Sequence, residues 1–236
     1  MNQVVVKQEK SGYQIVEAYK SLRTNLQFCG EDKKVIAVTS CTPNEGKSSV
    51  SMQLGISLAE SGKRVILIDA DLRKSVLLGR TKTQKSVRGL AHFLSGQATL
   101  EDVICSTNVK NFYMIYSGPF PPNPAELLGG KNFRSLLNAL RKVYDYVIVD
   151  TPPLGSVIDA AVAAKKCDGT ILVIENNAIS VISYRCAQEV KSQLERSNCP
   201  LLGVVLNKVD MQKQAYGKYG KYGQYKYGDY GQEEDD

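Results

Sequence analysis

The sequence has few of the features that mark metal-stapled, secreted or membrane-spanning proteins. It contains one histidine, His92, and six scattered cysteines without a C-x-x-C pair, so we expect no structural zinc site. Scattered cysteines without a signal peptide favour a reduced, cytoplasmic location. No apolar run approaches the ~18 residues of a membrane-spanning helix. We therefore expect any membrane location to come from a partner.

Charge of one sign does not dominate either. The formal net charge is +6 over 236 residues, and lysines interleave with acids without a basic stripe. This pattern favours a solvated surface and predicts no nucleic-acid partner. With 43% hydrophobic residues, a chain of this length can bury one full α/β core without disulfides.

One stretch near the start of the chain predicts a phosphate-binding loop. An apolar strand at 34–40 leads into Cys41-Thr42-Pro43-Asn44-Glu45-Gly46-Lys47-Ser48-Ser49, which fits G-x-x-x-x-G-K-[ST] except at Cys41. In such a loop, backbone N–H groups at a helix start bind phosphate oxygens. Lys47 can reach the β- and γ-phosphates of ATP, and the Ser48 hydroxyl can ligate Mg²⁺. Residues 41–49 are therefore the predicted ATP-binding segment.

Two positions in this loop carry further expectations. Asn44 is one of the few non-glycine residues that tolerate a left-handed backbone. Cys41 could have an acidified thiol at the helix N-terminus, but a small, unreactive loop side chain is the preferred interpretation. A chance Gly-Lys-Ser is the alternative to a true phosphate-binding loop, and acidic motifs on later strands argue against it.

Acidic residues follow two further predicted strands. The strand at 64–70 ends in Asp69-Ala70-Asp71-Leu72-Arg73, and the strand at 145–150 ends at Asp150 in the form of a Walker B motif. The carboxyl ends of parallel strands meet at the edge where open α/β sheets bind ligands. We therefore expect these carboxylates to lie beside the phosphate-binding loop, with Asp150 holding Mg²⁺ through water.

Alternating strand and helix patterns predict the fold class. The predicted helices are 14–28, 47–61, 89–94, 100–104, 131–143, 158–165 and 180–196, and the predicted strands are 34–40, 64–70, 112–117, 145–150, 170–175 and 201–207. They indicate an α/β P-loop NTPase with a mostly parallel sheet covered by helices on both faces. Residues 1–12 are predicted to be an irregular lead-in. Asn207, at the end of the last strand, either contacts a nucleotide base or caps a turn.

The composition changes at residue 211. The tail repeats glycine and has no aliphatic run, so it is predicted to be disordered. Its acidic end, 233–236, argues against stacking on single-stranded nucleic acid. The tail offers accessible phenol hydroxyls on a flexible tether, at Tyr216, Tyr219, Tyr222, Tyr225, Tyr227 and Tyr230.

The strand-end motifs, the segment PPNPAELL at 121–128 and the tyrosine tail together resemble the bacterial protein-tyrosine kinases of capsule and exopolysaccharide synthesis, as the stand-alone cytoplasmic subunit of Gram-positive bacteria. The resemblance implies a deviant, partitioning-ATPase-like Walker fold that uses ATP and Mg²⁺. It implies that Asp69 is the base for the tyrosine hydroxyl and that the tail tyrosines are the phosphoacceptors, in trans. The implied catalytic residues are Lys47, Asp69, Asp71 and Asp150, and the implied metal site is Ser48, Asp69, Asp71 and Asp150.

The resemblance also implies partners. Glu17, Lys20 and Arg23 stand where the family carries an E-x-x-R-x-x-R row that builds a ring of subunits, although lysine cannot make the forked pair of arginine. Spacing alone would make this row a solvated helix face. A membrane-embedded activator on a separate chain and a protein-tyrosine phosphatase are expected, with the protein peripheral to the inner face of the cell membrane. The implied domains are an oligomerisation segment at 1–30, a kinase domain at 31–210 and a flexible tail at 211–236.

Two other functions remain open at this point. A positioning ATPase of the same superfamily would hydrolyse ATP and switch between monomer and dimer. Such proteins carry an extra lysine early in the loop, where Thr42 stands, and lack a tyrosine-glycine tail. A non-catalytic scaffold would use the loop for assembly alone, which the full acidic set argues against.

Overall fold

The fold is built on one sheet of nine strands. The computed structural model describes residues 2–7, 12–83, 87–176 and 181–209. In these ranges the strands are β1 (Asn2–Val6), β2 (Val35–Ser40), β3 (Val65–Asp69), β4 (Thr81–Thr83), β5 (Cys105–Thr107), β6 (Phe112–Ile115), β7 (Tyr146–Asp150), β8 (Gly169–Glu175) and β9 (Leu201–Asn207). Their order across the sheet is β4-β1-β5-β6-β3-β7-β2-β8-β9. The pairs β1–β4 and β5–β6 are antiparallel, whereas all neighbours from β6 to β9 are parallel.

Helices connect the parallel strands and cover both faces of the sheet. They are α1 (Tyr13–Phe28), α2 (Lys47–Glu60), α3 (Leu90–Leu94), α4 (Leu100–Val103), α5 (Pro124–Gly129), α6 (Lys131–Arg141), α7 (Asp159–Ala164) and α8 (Val181–Arg196). A 3-10 turn, Leu78–Arg80, precedes β4. The predicted fold class, a mostly parallel α/β sheet, is therefore confirmed.

The central strands are buried because both of their faces are covered. Every residue of β2 and β3 is buried. On one face, Ile36 and Leu67 pack under α1 and α2. On the other, Ile66 packs under α6 and its neighbours, and Ala37 under α7 and α8. Alternate residues of one strand thus enter different cores, and the strands appear in the sequence as continuous apolar runs.

Apolar residues at helical spacing predict which face of a helix is buried, and for two helices the prediction is confirmed. Val50, Leu54 and Leu58 of α2 are buried, as are Phe133, Leu136, Leu137 and Leu140 of α6. In α1, the same spacing predicts an inner face through Ile15 and Leu26, which is only partly buried. Leu26 is buried, but Ile15 is 51% exposed because the first turn of α1 lies beyond the edge of the core.

The prediction of an irregular lead-in at 1–12 is wrong for residues 2–6. These residues form β1, which pairs in parallel with β5 and antiparallel with β4. Val4 and Val6 are buried in the core under α1 and α2. The partner strands lie far along the chain, in a segment predicted to hold only loops and short helices, so no local pattern indicated them.

Two predictions concern residues outside those the structure describes. The predicted disordered tail, with its six tyrosines, lies in 210–236, and the predicted first residue of α8, Ser180, is also outside. Across the described ranges, no helix is both long enough and apolar enough to cross a bilayer.

Candidate active site

The three predicted motifs meet at the carboxyl edge of the sheet. β7 lies between β3 and β2, so Asp69 pairs in register with Asp150, and Asp150 in turn pairs with Val38. The two carboxylates therefore sit on adjacent strands, beside the loop that leaves β2. Parallel pairing brings these residues together although they are distant in sequence.

The loop at 41–46 is held by its own side chains. The buried carboxylate of Glu45 accepts a hydrogen bond from the Thr42 N–H at 2.8 Å, and the Ser40 hydroxyl donates to the Thr42 carbonyl at 2.8 Å. Asn44 has φ +69° and Gly46 has φ +92°, so the left-handed backbone expected at Asn44 is confirmed. The loop reaches the N-terminus of α2 with its backbone turned toward the cleft.

Asn207 braces this loop from β9. Its Nδ2 donates to the Glu45 carbonyl at 2.9 Å. A Cβ atom on Gly46 would lie 2.0 Å from that nitrogen and would displace the Asn207 amide, and the positive φ of residue 46 favours glycine. In the described structure, the Asn207 side chain therefore bonds to the phosphate-binding loop. Its predicted role in ATP binding stays a prediction.

Replacing Asn207 with alanine should weaken ATP binding through this contact. The change removes the bond to the Glu45 carbonyl, and we expect about a five-fold loss of ATP affinity with a stability loss of about 1 kcal/mol. Nucleotide titration and thermal unfolding measure the two effects. Asn132→Ala is the matched control, because Asn132 makes the same kind of bond to the Leu94 carbonyl at 2.9 Å. Equal losses of affinity in both variants would contradict the assignment.

Lys47 points into the acidic cluster at the start of α2. Its Nζ lies 3.1 Å from Asp71 Oδ2, 3.9 Å from Asp150 Oδ2 and 3.3 Å from Ser48 Oγ. Burial lowers the pKa of Lys47, but the carboxylates of Asp150 and Asp71 outweigh it, and the net pKa is above its usual value. The ammonium group is therefore charged at neutral pH.

Asp69 is the carboxylate with the most strongly perturbed environment among these. It is buried, Ser75 donates its hydroxyl to Oδ2, and Oδ1 has no hydrogen-bond partner in the described residues. Burial first, and then the negative charge of Asp150, raise the pKa of Asp69 to about 7. A carboxyl group that titrates near neutral pH can accept and release a proton under physiological conditions.

Asp150 shares the same buried environment. Ser51, one helical turn after Lys47, donates to Asp150 Oδ1 at 3.1 Å. Burial raises the pKa of Asp150, whereas Lys47 and the hydroxyls of Ser48 and Ser51 act in the opposite direction. The site thus concentrates three carboxylates around one ammonium group.

A cleft of about 360 Å³ opens over the loop, Lys47 and Asp71, whereas Asp69 and Asp150 are not among its lining residues. This volume is in the range of small-ligand sites. Its floor is the phosphate-binding loop and Asp71, and its walls come from three further segments. The lining residues are Pro43, Asn44, Gly46, Lys47, Ser48, Ser49, Asp71, Arg73, Lys74, Val76, Arg80, Pro152, Pro153, Ser156, Val157 and Lys208.

Several contacts at the site were not predicted. The guanidinium of Arg73 makes two bonds, at 2.7 and 3.1 Å, to Asp159, whose side chain is 1% exposed. Arg80 donates to the Ser49 hydroxyl at 2.6 Å. Of the unpredicted contacts at the site, the one between Ser51 and Asp150 had a signal in the sequence, because Ser51 lies four residues after Lys47 on a predicted helix.

Cys41 lies behind the loop rather than on the cleft wall. It is buried in the core that α7 and α8 form with β2 and β8. Burial, followed by the neighbouring Cys186, raises the pKa of the Cys41 thiol to about 12. The alternative of an acidified thiol is therefore wrong, and the small, unreactive side chain is the supported interpretation.

The row predicted to mediate oligomerisation lies on α1. Lys20 pairs with Glu17 at 2.7 Å, and Arg23 donates to the Ser57 carbonyl of α2 at 2.9 Å. Within one subunit, the third member of the row therefore attaches α1 to the helix that follows the phosphate-binding loop. A role between subunits stays a prediction.

Both the sequence and the fold are similar to those of known proteins. Residues 33–196 match the AAA domain family. The chain is 46% identical over 201 residues to the tyrosine-protein kinase CpsD of Streptococcus pneumoniae serotype 4, covering 85% of this chain and 87% of that protein. Its fold matches the kinase domain of the Escherichia coli tyrosine kinase ETK with a TM-score of 0.77 and 35% identity, over 82% of this chain and 75% of that one. The chain belongs to the bacterial protein-tyrosine kinases.

The kinase also shares its architecture with positioning ATPases. The septum site-determining protein MinD of Pyrococcus horikoshii, complexed with Mg-ADP, matches it with a TM-score of 0.62 and 25% identity, over 73% of this chain and 69% of that one. The fold alone therefore does not distinguish a tyrosine kinase from a positioning ATPase. Membership of the tyrosine-kinase family identifies the chain as a kinase.

Proposed function

We propose that this kinase transfers the γ-phosphoryl group of ATP to tyrosines of its own C-terminal tail, in trans between subunits. The observation that carries the proposal is the convergence of Lys47, Asp69, Asp71 and Asp150, of which Lys47 and Asp71 line a ligand-sized cleft. Lys208, next to the last described residue before the tail, also lines that cleft.

The residues present fit Mg·ATP. The loop leads into the N-terminus of α2, where backbone N–H groups can bind phosphate, and the Ser48 hydroxyl lies 3.3 Å from Lys47 Nζ. Mg²⁺ keeps waters and takes phosphate oxygens as ligands, so it needs only one or two ligands from the protein. Ser48 would ligate the ion directly, with Asp69, Asp71 and Asp150 around it; when bound, it neutralises phosphate charge.

Each side chain then has a role in an in-line transfer. Lys47 exchanges its contact with Asp71 for the β- and γ-phosphates and stabilises their charge. The tyrosine oxygen forms a bond to the γ-phosphorus while the bond from that phosphorus to the β–γ bridging oxygen breaks, and ADP leaves. Asp69 takes the phenol proton, since its pKa of about 7 lets it accept a proton that a free phenol holds until a pH of about 10.

Assembly and control form the second part of the proposal. The kinase forms a ring through Glu17, Lys20 and Arg23, and α1 supports this because its exposed residues include Tyr13, Ile15 and Val16 at 80%, 51% and 40% exposure. A membrane-embedded adaptor on a separate chain holds it at the inner face of the membrane and activates it in capsule or exopolysaccharide synthesis. A protein-tyrosine phosphatase reverses the modification. Family membership supports this part.

A mixing experiment with two full-length variants tests the transfer and its trans mode. Lys47→Met supplies a tail without an active site, and a variant with all six tail tyrosines changed to Phe supplies an active site without acceptors. With Mg·ATP, with and without the cytosolic segment of an adaptor, we expect phosphotyrosine only in the mixture, on the Lys47→Met chain. Mass-spectrometric mapping identifies the chain and the tyrosines.

The controls separate the alternatives. Adding Tyr184→Phe to the variant without tail tyrosines should leave its activity unchanged, because Tyr184 is exposed on α8 and does not lie in the tail. Wild-type protein that becomes phosphorylated while the mixture does not would show transfer in cis. Wild-type protein that hydrolyses ATP without gaining phosphotyrosine would overturn the proposed function.

A further inference from the structure

A strongly basic segment borders the cleft. Between Asp71 and Glu101 the sequence contains no acidic residue, while its basic residues are Arg73, Lys74, Arg80, Lys82, Lys85 and Arg88. Arg73, Lys74 and Arg80 line the cleft, and Lys208 lines it from the end of β9. We call Lys74 and Arg80 the basic rim.

The basic rim carries positive charge that the described residues do not neutralise. Arg73 is paired with the buried Asp159 at 2.7 Å, and Lys208 is paired with Glu175 at 2.9 Å. By contrast, in the described part of the chain neither Lys74 nor Arg80 lies within ion-pair distance of a carboxylate, and the contact of Arg80 is the neutral Ser49 hydroxyl. Since Lys47 lies deeper in the site, the rim adds a second, outer zone of positive potential.

The end of the chain carries the complementary charge. Residues 229–236 read Asp-Tyr-Gly-Gln-Glu-Glu-Asp-Asp, with five acids and no lysine or arginine. We call Glu233–Asp236 the acidic end. It directly follows the last tail tyrosines, Tyr227 and Tyr230.

The tail is long enough to extend beyond its own cleft. Glu233 is 25 residues beyond Lys208 (233 − 208), and Lys208 itself lines the cleft. A glycine-rich linker of that length has a root-mean-square span of roughly 25–30 Å. Since the transfer is proposed in trans, the acidic end meets the rim of a neighbouring subunit, and assembly of the subunits raises its local concentration there.

We propose that the acidic end, Glu233–Asp236, binds the basic rim at Lys74 and Arg80 and so presents Tyr230 and Tyr227 to the cleft. The inference rests on the proposed phosphorylation of the tail and adds how the tail is recognised as a substrate. Exposed charges attract at long range but are screened by salt, so the contact strengthens substrate binding at low ionic strength. It leaves the transfer step itself unchanged.

A kinase variant whose own tail cannot compete with added peptides tests this recognition. The enzyme is the full chain with its six tail tyrosines changed to Phe and its acidic end neutralised as E233Q, E234Q, D235N and D236N, so its own tail neither accepts phosphate nor occupies the rim. The substrates are two synthetic peptides of residues 219–236, one native and one with the four acids replaced in the same way. At low salt, we expect the native peptide to have a KM about five- to twenty-fold lower than that of the neutralised peptide, at equal kcat. The difference should vanish in about 0.5 M salt.

Lys74→Glu in the enzyme identifies the surface. It should erase the difference between the peptides, while Lys142→Glu, an exposed lysine before β7 at the opposite edge of the sheet, should preserve it. Because Lys74 also lines the cleft, ADP titration measures nucleotide binding separately, and the two peptides are compared on the same enzyme at saturating ATP. Anisotropy of the labelled peptides measures binding independently of catalysis.

The outcomes separate this inference from the proposed function. Equal affinity of the two peptides, or a difference that survives Lys74→Glu, would overturn the inference, because the acids would then act elsewhere, for example on the tail lysines. Absence of phosphotyrosine on the wild-type chain would overturn the proposed function, while the binding measurement would still decide whether the rim holds the acidic end.

Discussion

Replacing Lys47 with methionine should abolish ATP binding and tyrosine phosphorylation together, lowering kinase activity by about 10²–10³-fold or more. Methionine keeps the length of the side chain and loses the charge. Lys47 is the one ammonium group within 4 Å of both Asp71 and Asp150 in the described structure. Without it, a triphosphate would enter a site that carries three carboxylates and no compensating charge at its centre.

The variant should nevertheless fold. Lys47 holds down the pKa of the buried Asp150, so its loss should raise that pKa further and favour the protonated carboxyl group. Proton uptake reduces the cost of leaving a buried carboxylate without its partner. Thermal unfolding checks the fold, and titration with a fluorescent ATP analogue checks binding.

Lys142→Met is the matched control for this prediction. Lys142 is exposed and lies before β7, at the sheet edge opposite the cleft, so its replacement should change neither binding nor phosphorylation. A Lys47→Met chain that still gained phosphotyrosine when incubated alone would revive the scaffold interpretation, in which another kinase modifies the tail.

The residues that the sequence could place at the site share one physical feature. Each lies at or just beyond the carboxyl end of a continuous apolar strand: Asp69 and Asp150 are the last residues of β3 and β7, Asp71 follows β3, and Lys47 follows the loop after β2. Strands of this kind form a parallel sheet with its carboxyl ends on one edge. A local pattern therefore fixed the position of each residue, and parallel topology brought them together. The chemistry of the loop could be predicted for the same reason.

Contacts that depend on tertiary packing could not be predicted in this way. Asn207 bonds to Glu45, Ser75 to Asp69, and Arg73 to Asp159, and no periodicity links the members of any pair. β1 was missed for the same reason, because its register is set by distant partners: Val4 lies opposite Thr107 and Val6 opposite Thr81. Sequence patterns indicate which residues of a segment are buried, whereas these contacts depend on which other segment of the chain packs against it.

Asp69→Asn should reduce phosphorylation by about 10²–10⁴-fold, the usual contribution of a general base. The asparagine keeps the shape of the side chain but cannot take the phenol proton. The pKa of Asp69, about 7, further predicts that kcat/KM of the wild-type kinase rises with pH through the neutral range as Asp69 loses its proton. The variant should lack this rise. A variant with wild-type activity would exclude Asp69 as the base.

The same substitution should stabilise the nucleotide-free fold. In an unfolded chain an aspartate has a pKa near 3.9, about three units below the folded value, so between these values the folded protein holds a proton that the unfolded chain releases. Stability therefore falls as pH rises from about 4 to about 7, because the buried carboxyl must then ionise or the chain unfold. Asp69→Asn removes this loss, and we expect a gain of a few kcal/mol above pH 7, at about 1.4 kcal/mol per pKa unit.

Denaturant unfolding with EDTA and without nucleotide, from pH 4 to pH 8, measures this gain. Asp32→Asn is the control, because the pKa of the exposed Asp32 is lowered by Lys33, and its replacement should leave the slope above pH 5 unchanged. Equal pH slopes for wild type and Asp69→Asn would mean that Asp69 is ionised in the folded protein. Together with lost activity, a stabilised Asp69→Asn variant would show that the kinase keeps this buried carboxyl for proton transfer at the expense of its own stability.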